Sequence, residues 1–469
     1  MKLIGREPEI KQFEECMNEK RSHFITVYGR RRVGKTFLIR THFDNSFSFY
    51  ATGLADANKQ TQLANFWSAL KKYNKGKNLP TKPDNWLEAF NELINILEQS
   101  EEEKKIIFLD ELPWMDTRNS GFLTALEYFW NSWASARTDI LLIICGSASW
   151  WIIDKIINNK RGLYNRVTKR IKLEPFTLKE TKEFLWSRGG NYDHYQIIQF
   201  YMVFGGIPYY LENINPDESA TMNIDRLCFS KKAIMKSEYN QLFTSLFNSP
   251  ERHIAVIEAL TNKKVGYFRE EILAQTGLKD GGRFSIILEE LEECNFIRRY
   301  SKIGNKKRDA MYQLVDNFTL FYHKFIKESN AQDDQFWLNT LNTPTYFAWA
   351  GNAFEIVCLQ HAQEIKNGLG ISGIQTKIYA WANQSSQIDM VIDRKDQVIN
   401  LIEVKFSINP FLITKSYSEN LRRKIGEFIT ETKTKKSVWM VMISVYGMGK
   451  SPHNDLIQKD LTIDIFFKN

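Results

Sequence analysis

Apolar residues gather early in the chain into short runs that end on glycine or on acids. Phe24–Tyr28 ends at Gly29, Ile106–Leu109 at Asp110 and Glu111, and Ile140–Cys145 at Gly146. Runs this short and unbroken read as buried strands. A helical pattern follows the first run, and a loop and the helix Phe122–Trp133 follow the second. Strands alternating with helices predict an α/β fold with a covered parallel sheet. Ile171–Leu173, just before Pro175, adds a further strand. From about Leu178 to Asn240 the pattern is helical, interrupted by Gly205-Gly206-Ile207-Pro208.

The pattern changes near residue 250. Helices are expected at Ile254–Leu260, Phe268–Thr276 and Ser285–Cys294, with a turn at Lys279–Gly282. Phe296–Tyr300 and Ala310–Leu314 read as strands around the polar loop Gly304–Asp309. Three helices and a two-stranded ribbon describe a winged helix. Its core would be Ile272, Leu273, Leu278, Ile286, Ile287 and Leu291. A polar linker, Lys327–Gln335, precedes a mixed α/β unit with a helix at Ala353–Ile365 and strands at Ile388–Ile392 and Val398–Lys405. A helix at Ser416–Thr430 and a strand at Val438–Ser444 complete it. The expected division is a core over 1–177, a helical lid over 178–245, a winged helix over 246–326, a linker over 327–344 and a last unit over 345–469.

The length, 469 residues, fits about three domains rather than one core. With 43% hydrophobic and 25% charged residues the chain is neither disordered nor collagen-like. The apolar stretch around Ile140–Cys145 is far short of the ~20 residues that span a bilayer, and the opening MKLIGREPEI is no secretory signal. No membrane partner is expected. Five scattered cysteines with no CxxC spacing exclude a disulfide framework and predict a reducing, cytoplasmic setting. A net charge of +8 admits a polyanionic partner without requiring one. The abundant aromatics, 12 Trp among them, are expected to fill cores.

Gly29-Arg30-Arg31-Arg32-Val33-Gly34-Lys35-Thr36 fits G-x4-G-K-[ST] completely, after a strand and before a helix. The glycines let backbone N–H groups curl around a phosphate chain, and the helix N-terminus adds its partial positive charge. Lys35 supplies charge to the β and γ phosphates of ATP, and Thr36 a hydroxyl to Mg²⁺. Asp110 would hold Mg²⁺ and Glu111 polarise the attacking water, both at the C-terminal end of a strand where α/β sheets bind ligands. Ser147, in Gly146-Ser147-Ala148-Ser149, is the candidate for orienting that water or touching the γ-phosphate.

This order of features resembles the AAA+ class of NTPases. Leu3-Ile4-Gly5-Arg6-Glu7 looks like the box that lies near adenine in that class, which implies nucleotide contacts for Gly5 and Arg6. Gly205-Gly206-Ile207-Pro208 resembles the GGxP signature of the STAND-related, archaeal-type branch, as does GRRRVGKT itself. It implies a lid over the nucleotide with Pro208 at its start. No clear arginine finger is present; Arg161, Arg166 and Arg170 are the candidates for reaching a neighbouring subunit.

The wing carries Lys302, Lys306, Lys307 and Arg308, which suit phosphates, but the helix before it carries Glu289, Glu290, Glu292 and Glu293, which repel them. A packing or partner role therefore outweighs DNA reading there. Fourteen residues after Asp389 comes Glu403, and Lys405 shares its strand face. Two carboxylates can hold Mg²⁺ while a lysine stabilises charge on a phosphodiester. This D-x13-E-V-K hairpin resembles the PD-(D/E)XK nucleases, with Ile388 in place of proline, and Glu355 matches their helix-borne acid. Together with the first half it is similar to archaeal-type ATPases that end in a DUF234-like, nuclease-like domain. Two readings follow. One is a Mg²⁺-dependent ATPase that drives a nuclease-like effector on nucleic acid. The other is a regulatory ATPase switch whose winged helix and last unit bind DNA, a second copy or another protein without cleavage.

Overall fold

The computed structural model describes residues 3–74, 81–160, 162–247, 249–301, 310–329 and 335–468. Its contacts divide the chain into two compact units, Met1–Pro175 and Phe176–Asn469. The expected boundaries near 245, 326 and 344 fall inside the second.

Five parallel strands make the sheet of the first unit: β1 (His23–Tyr28), β2 (Phe49–Thr52), β3 (Lys105–Asp110), β4 (Ile140–Gly146) and β5 (Lys169–Lys172), in the order β2-β3-β4-β1-β5. β3 and β4 are buried along their whole length. A parallel sheet is covered on both faces, which is why these strands read as unbroken apolar runs. Helices Lys59–Tyr73 and Trp86–Glu98, absent from the expected elements, join the core through Phe66, Leu70, Phe90 and Leu93. Each such fully buried side chain contributes about 1.5–3 kcal/mol. The helix expected over Phe122–Trp133 is α-helical only to Tyr128. It continues as a wider π turn, Phe129–Trp133, in which Phe129 and Trp130 are both buried. The register sets Tyr28 beside Gly146 and Leu109 beside Ile144, so the loops after β1, β3 and β4 leave the same edge of the sheet.

In the second unit a capping box, Thr177 with Glu180, starts the helix Leu178–Ser187. The next helix, His194–Phe204, ends at Gly205 and Gly206, both with positive φ, and Pro208 opens the short helix Pro208–Leu211. Helices Pro250–Thr261, Arg269–Thr276 and Gly282–Glu293 pack with an antiparallel sheet of β6 (Tyr267–Phe268), β7 (Ile297–Ser301) and β8 (Ala310–Leu314), in the order β6-β8-β7. The basic wing residues lie outside the described residues. Glu290 turns inward to His253, 2.7 Å away.

Part of the stretch expected as a linker is packed. Phe336–Thr340 is helical, and Trp337 is buried among Phe321, Phe325 and Trp349. The helix expected over Ala353–Ile365 is two, Pro344–Gln360 and Ala362–Gly368. They part at His361, whose Nδ1 meets the Val357 carbonyl while Nε2 accepts the Leu178 N–H. The last sheet comprises β9 (Thr376–Ala382), β10 (Gln387–Arg394), β11 (Val398–Lys405), β12 (Ser437–Ser444) and β13 (Ile457–Thr462), in the order β13-β12-β11-β10-β9. β9–β10–β11 pair antiparallel, and β11–β12–β13 pair parallel. Among the described residues no helix is long and apolar enough to cross a membrane.

Candidate active site

Gly29 follows β1 with φ 141°, and a Cβ there would stand 2.3 Å from the Leu173 carbonyl oxygen. Only glycine fits so close to another backbone. Its N–H donates to Ser149 Oγ at 3.0 Å. Arg32 and Gly34 both have positive φ, and Gly34 caps the helix Lys35–His42. The loop therefore curls as a phosphate cradle must, with the first turn of that helix at its end. Lys35 is buried, and its Nζ donates to the carbonyls of Gly29 (2.7 Å) and Arg30 (2.9 Å).

Thr36 Oγ1 donates to Asp110, 3.0 and 3.1 Å from its two oxygens. A hydroxyl and a carboxylate brought together from two chain segments are hard oxygen donors, the kind that Mg²⁺ takes. Glu111 has a left-handed backbone, φ 45°, which turns the chain sharply after β3. Its Oε2 accepts from both the N–H (3.1 Å) and the hydroxyl (3.0 Å) of Ser147. Ser147 is thus engaged with Glu111. Arg6 is buried, and its guanidinium donates to the carbonyls of Val33 (3.3 Å) and Glu174 (2.8 Å). It braces the loop from behind, beside Gly5, which has φ 65°. Arg30 is buried, whereas Arg31 and Arg32 are partly exposed. Arg166 and Arg170 are exposed, and Arg161 lies outside the described residues. Pro208 belongs to the second unit.

Two residues of this site were missed. Ser149 holds Gly29, and its signal was its place in the same Gly-Ser-Ala-Ser run as Ser147. Cys145 donates its thiol to Asp110 Oδ1 at 2.7 Å, and burial raises its pKa well above the usual thiol range, with the Asp110 charge adding to the rise. A cysteine inside an apolar strand gives no sequence signal of that contact.

In the C-terminal sheet, Met390 pairs with Ile402 across the antiparallel β10–β11 ladder, and the same register continued sets Asp389 opposite Glu403. Opposite residues share a face. Asp389 Oδ2 accepts from Val404 N–H at 2.9 Å. Glu403 is buried; Lys424 Nζ lies 2.6 Å from Oε1, Tyr417 Oη donates to Oε2 at 3.1 Å, and Lys405 Nζ is 3.8 Å away. Burial and then the Asp389 charge raise the pKa of Glu403, while Lys424 and Lys405 oppose the rise. Glu355 responds in the same way to burial and Asp389, opposed first by Lys264, 2.6 Å from Oε1 and 2.5 Å from Oε2. Glu403 and Glu355 are therefore each engaged in ion pairs, with Lys424 and Lys264, while Asp389 is held by a backbone N–H. Among the described residues no group of three or more His, Cys, Asp or Glu side chains is disposed to hold a metal. Lys424 and Tyr417 were missed; seven residues apart on one helix, they share a face.

Residues 3–214 match the family described as an ATPase domain predominantly from Archaea. The first part of the chain is an ATPase domain. An uncharacterized protein of Methanocaldococcus jannaschii is 26% identical over 420 residues, covering 86% of this chain and 87% of its own. An uncharacterized ATP-binding protein of the same organism is 43% identical over 43 residues, 9% of this chain and 73% of its own. A Walker-type ATPase of Pyrococcus abyssi superposes with a TM-score of 0.50 at 19% identity, over 68% of this chain and 95% of that one, a likeness of fold.

Proposed function

We propose that this ATPase is Mg²⁺-dependent and that its nucleotide state governs a nuclease-like C-terminal effector acting on nucleic acid. The observation that carries the first half is the Thr36–Asp110 pair beside the Lys35 loop. Mg²⁺, when bound, would neutralise charge on the β and γ phosphates. Thr36 and Asp110 would hold it, and Lys35 would exchange its two loop carbonyls for phosphate oxygens. The backbone N–H groups of residues 30–36 cradle the phosphates. Glu111 accepts the proton of the attacking water, and the two donors of Ser147 keep its carboxylate aimed. Gly5 and Arg6 would serve the nucleotide through the loop, whose Val33 carbonyl Arg6 holds. The five cysteines are buried and unbridged, which supports a reducing, cytoplasmic setting.

The pairing of Asp389 with Glu403, with Lys405 and Glu355 alongside, supports the effector half. The closed ion pairs around Glu403 favour a second reading, a switch that binds DNA or a partner protein without cutting. ATP binding and hydrolysis by purified variants test the ATPase site. Lys35→Ala is expected to lose tight ATP binding. Glu111→Gln is expected to keep binding and lose turnover by about 10²–10⁴-fold, the contribution of a positioned base. Hydrolysis unchanged in Lys35→Ala would overturn the proposal.

A further inference from the structure

Asp110 is held unevenly. Its Oδ1 accepts from the Cys145 thiol at 2.7 Å and from the Glu111 N–H at 2.9 Å, and stands 3.1 Å from Thr36 Oγ1. Among the described residues its Oδ2 has the Thr36 hydroxyl alone, at 3.0 Å. A carboxylate oxygen offers two lone pairs. The two closer donors therefore fill Oδ1, and Oδ2 keeps a pair open. The carboxylate is 4% exposed, so the protein rather than water sets this difference.

The cause lies in the sheet. Leu109 pairs with Ile144 across the parallel β3–β4 ladder, and the same register continued sets Asp110 beside Cys145. Cys145 is fully buried, so its thiol keeps its proton and meets the carboxylate as a donor. Two and four residues further on, Ser147 holds Glu111 and Ser149 holds Gly29. One short segment at the end of β4 thus braces the proposed ion ligand, the proposed base and the phosphate loop. Thr36 and Glu111 belong to motifs of fixed spacing; Cys145 does not.

We propose that Cys145 is a positioning residue of the ATPase site: with the Glu111 N–H it fills Oδ1 of Asp110 and leaves Oδ2 as the oxygen presented to Mg²⁺. The proposal rests on reading Thr36 and Asp110 as ligands of the ion, and it adds which atom serves and what fixes it. Without the thiol, Oδ1 loses one of its two close donors, and the carboxylate is freer to turn. Ligand carboxylates depend on such outer partners, and removing one costs about 10–100-fold in metal affinity. Cys145 is closed to any ligand by its burial, so the nucleotide itself does not touch it.

The test is equilibrium binding of a fluorescent ATP analogue to the full-length chain while Mg²⁺ is titrated. In Cys145→Ala the Mg²⁺ midpoint is expected to rise about tenfold or more, with binding in EDTA unchanged within about twofold. Cys145→Ser keeps a donor in the same place and is expected to recover most of the loss. A merely structural role would weaken binding with and without Mg²⁺ alike, and serine would be no better than alanine. Cys145→Val, which fills the space and cannot donate, serves if urea denaturation shows the alanine variant to be unfolded. A wild-type midpoint in Cys145→Ala or its valine substitute, with Asp110→Asn still raising it, would overturn the role of Cys145 alone. Binding indifferent to Mg²⁺ in both wild type and Asp110→Asn would overturn the Mg²⁺ reading, and the role of Cys145 with it.

Discussion

At the scale of single residues the ATPase site is a set of short polar contacts between segments far apart in sequence. Ser147 shows what such a contact does. It donates twice to one oxygen of Glu111, which fixes a carboxylate that a left-handed backbone has already turned. Removing the hydroxyl leaves the backbone donor, so the side chain loses half of its anchoring and none of its charge. Ser147→Ala is expected to leave ATP affinity within about twofold and to lower turnover by about tenfold, the scale of one hydrogen bond to a charged group. Steady-state hydrolysis beside equilibrium ATP binding separates the two. An equal fall in both would mean that Ser147 contacts the nucleotide. These contacts also mark how far the sequence was legible. Lys35, Thr36, Asp110 and Glu111 stand out because each belongs to a motif with fixed spacing. Ser149, Cys145, Lys264 and Lys424 belong to none, and only the fold brings them to Gly29, Asp110, Glu355 and Glu403.

At the scale of elements, strands buried on both faces are readable, and of the edge strands of the two larger sheets only β5 is. β1, β3 and β4 are continuous apolar runs, whereas β9 and β13 expose much of their length and carry polar residues such as Lys377, Gln458, Lys459 and Asp460. An edge strand is protected by such residues, and they erase its period. The phosphate loop depends on glycine for two separate reasons. At Gly34 the backbone has φ 92° and a Cβ would meet nothing, so the demand is conformational. At Gly29 a Cβ would strike the Leu173 carbonyl, so the demand is also steric. Gly29→Ala is expected to cost about 1–3 kcal/mol, because the end of β1 must move off the segment after β5. Urea denaturation of the variant checks this. An unchanged midpoint would mean that Leu173 yields without cost.

At the scale of the whole molecule, the second unit is less divisible than its sequence suggests. The change of pattern near residue 250 and the polar stretch after Phe325 read as boundaries, yet buried contacts cross both. Leu178 N–H donates to His361, Gln199 meets the Tyr346 hydroxyl at 3.3 Å, and Asn317 donates to the Tyr201 carbonyl. The helix His194–Phe204 is apolar on most sides, with everything from Ile197 to Phe204 buried. Such a helix needs neighbours all round, and the later helices Asn317–Phe321 and Pro344–Gln360 are among them. A chain ended near Lys327 would keep this helix and lose Pro344–Gln360, leaving Leu178 N–H without its acceptor in what had been a buried position. Water can take that place, so the larger loss is the apolar surface uncovered on His194–Phe204, at about 25 cal/mol for each Å² exposed. A chain ended at Pro175 removes the helix together with its partners and keeps the first sheet, its loop and both acids. The shorter fragment is therefore expected to fold and to retain Lys35-dependent nucleotide binding, while the longer one is expected to aggregate or lose cooperative unfolding. Far-UV circular dichroism, urea titration and ATP binding on both fragments decide the matter. A cooperative, monomeric 1–327 fragment would show that the helix His194–Phe204 does not rely on the C-terminal helices for its burial.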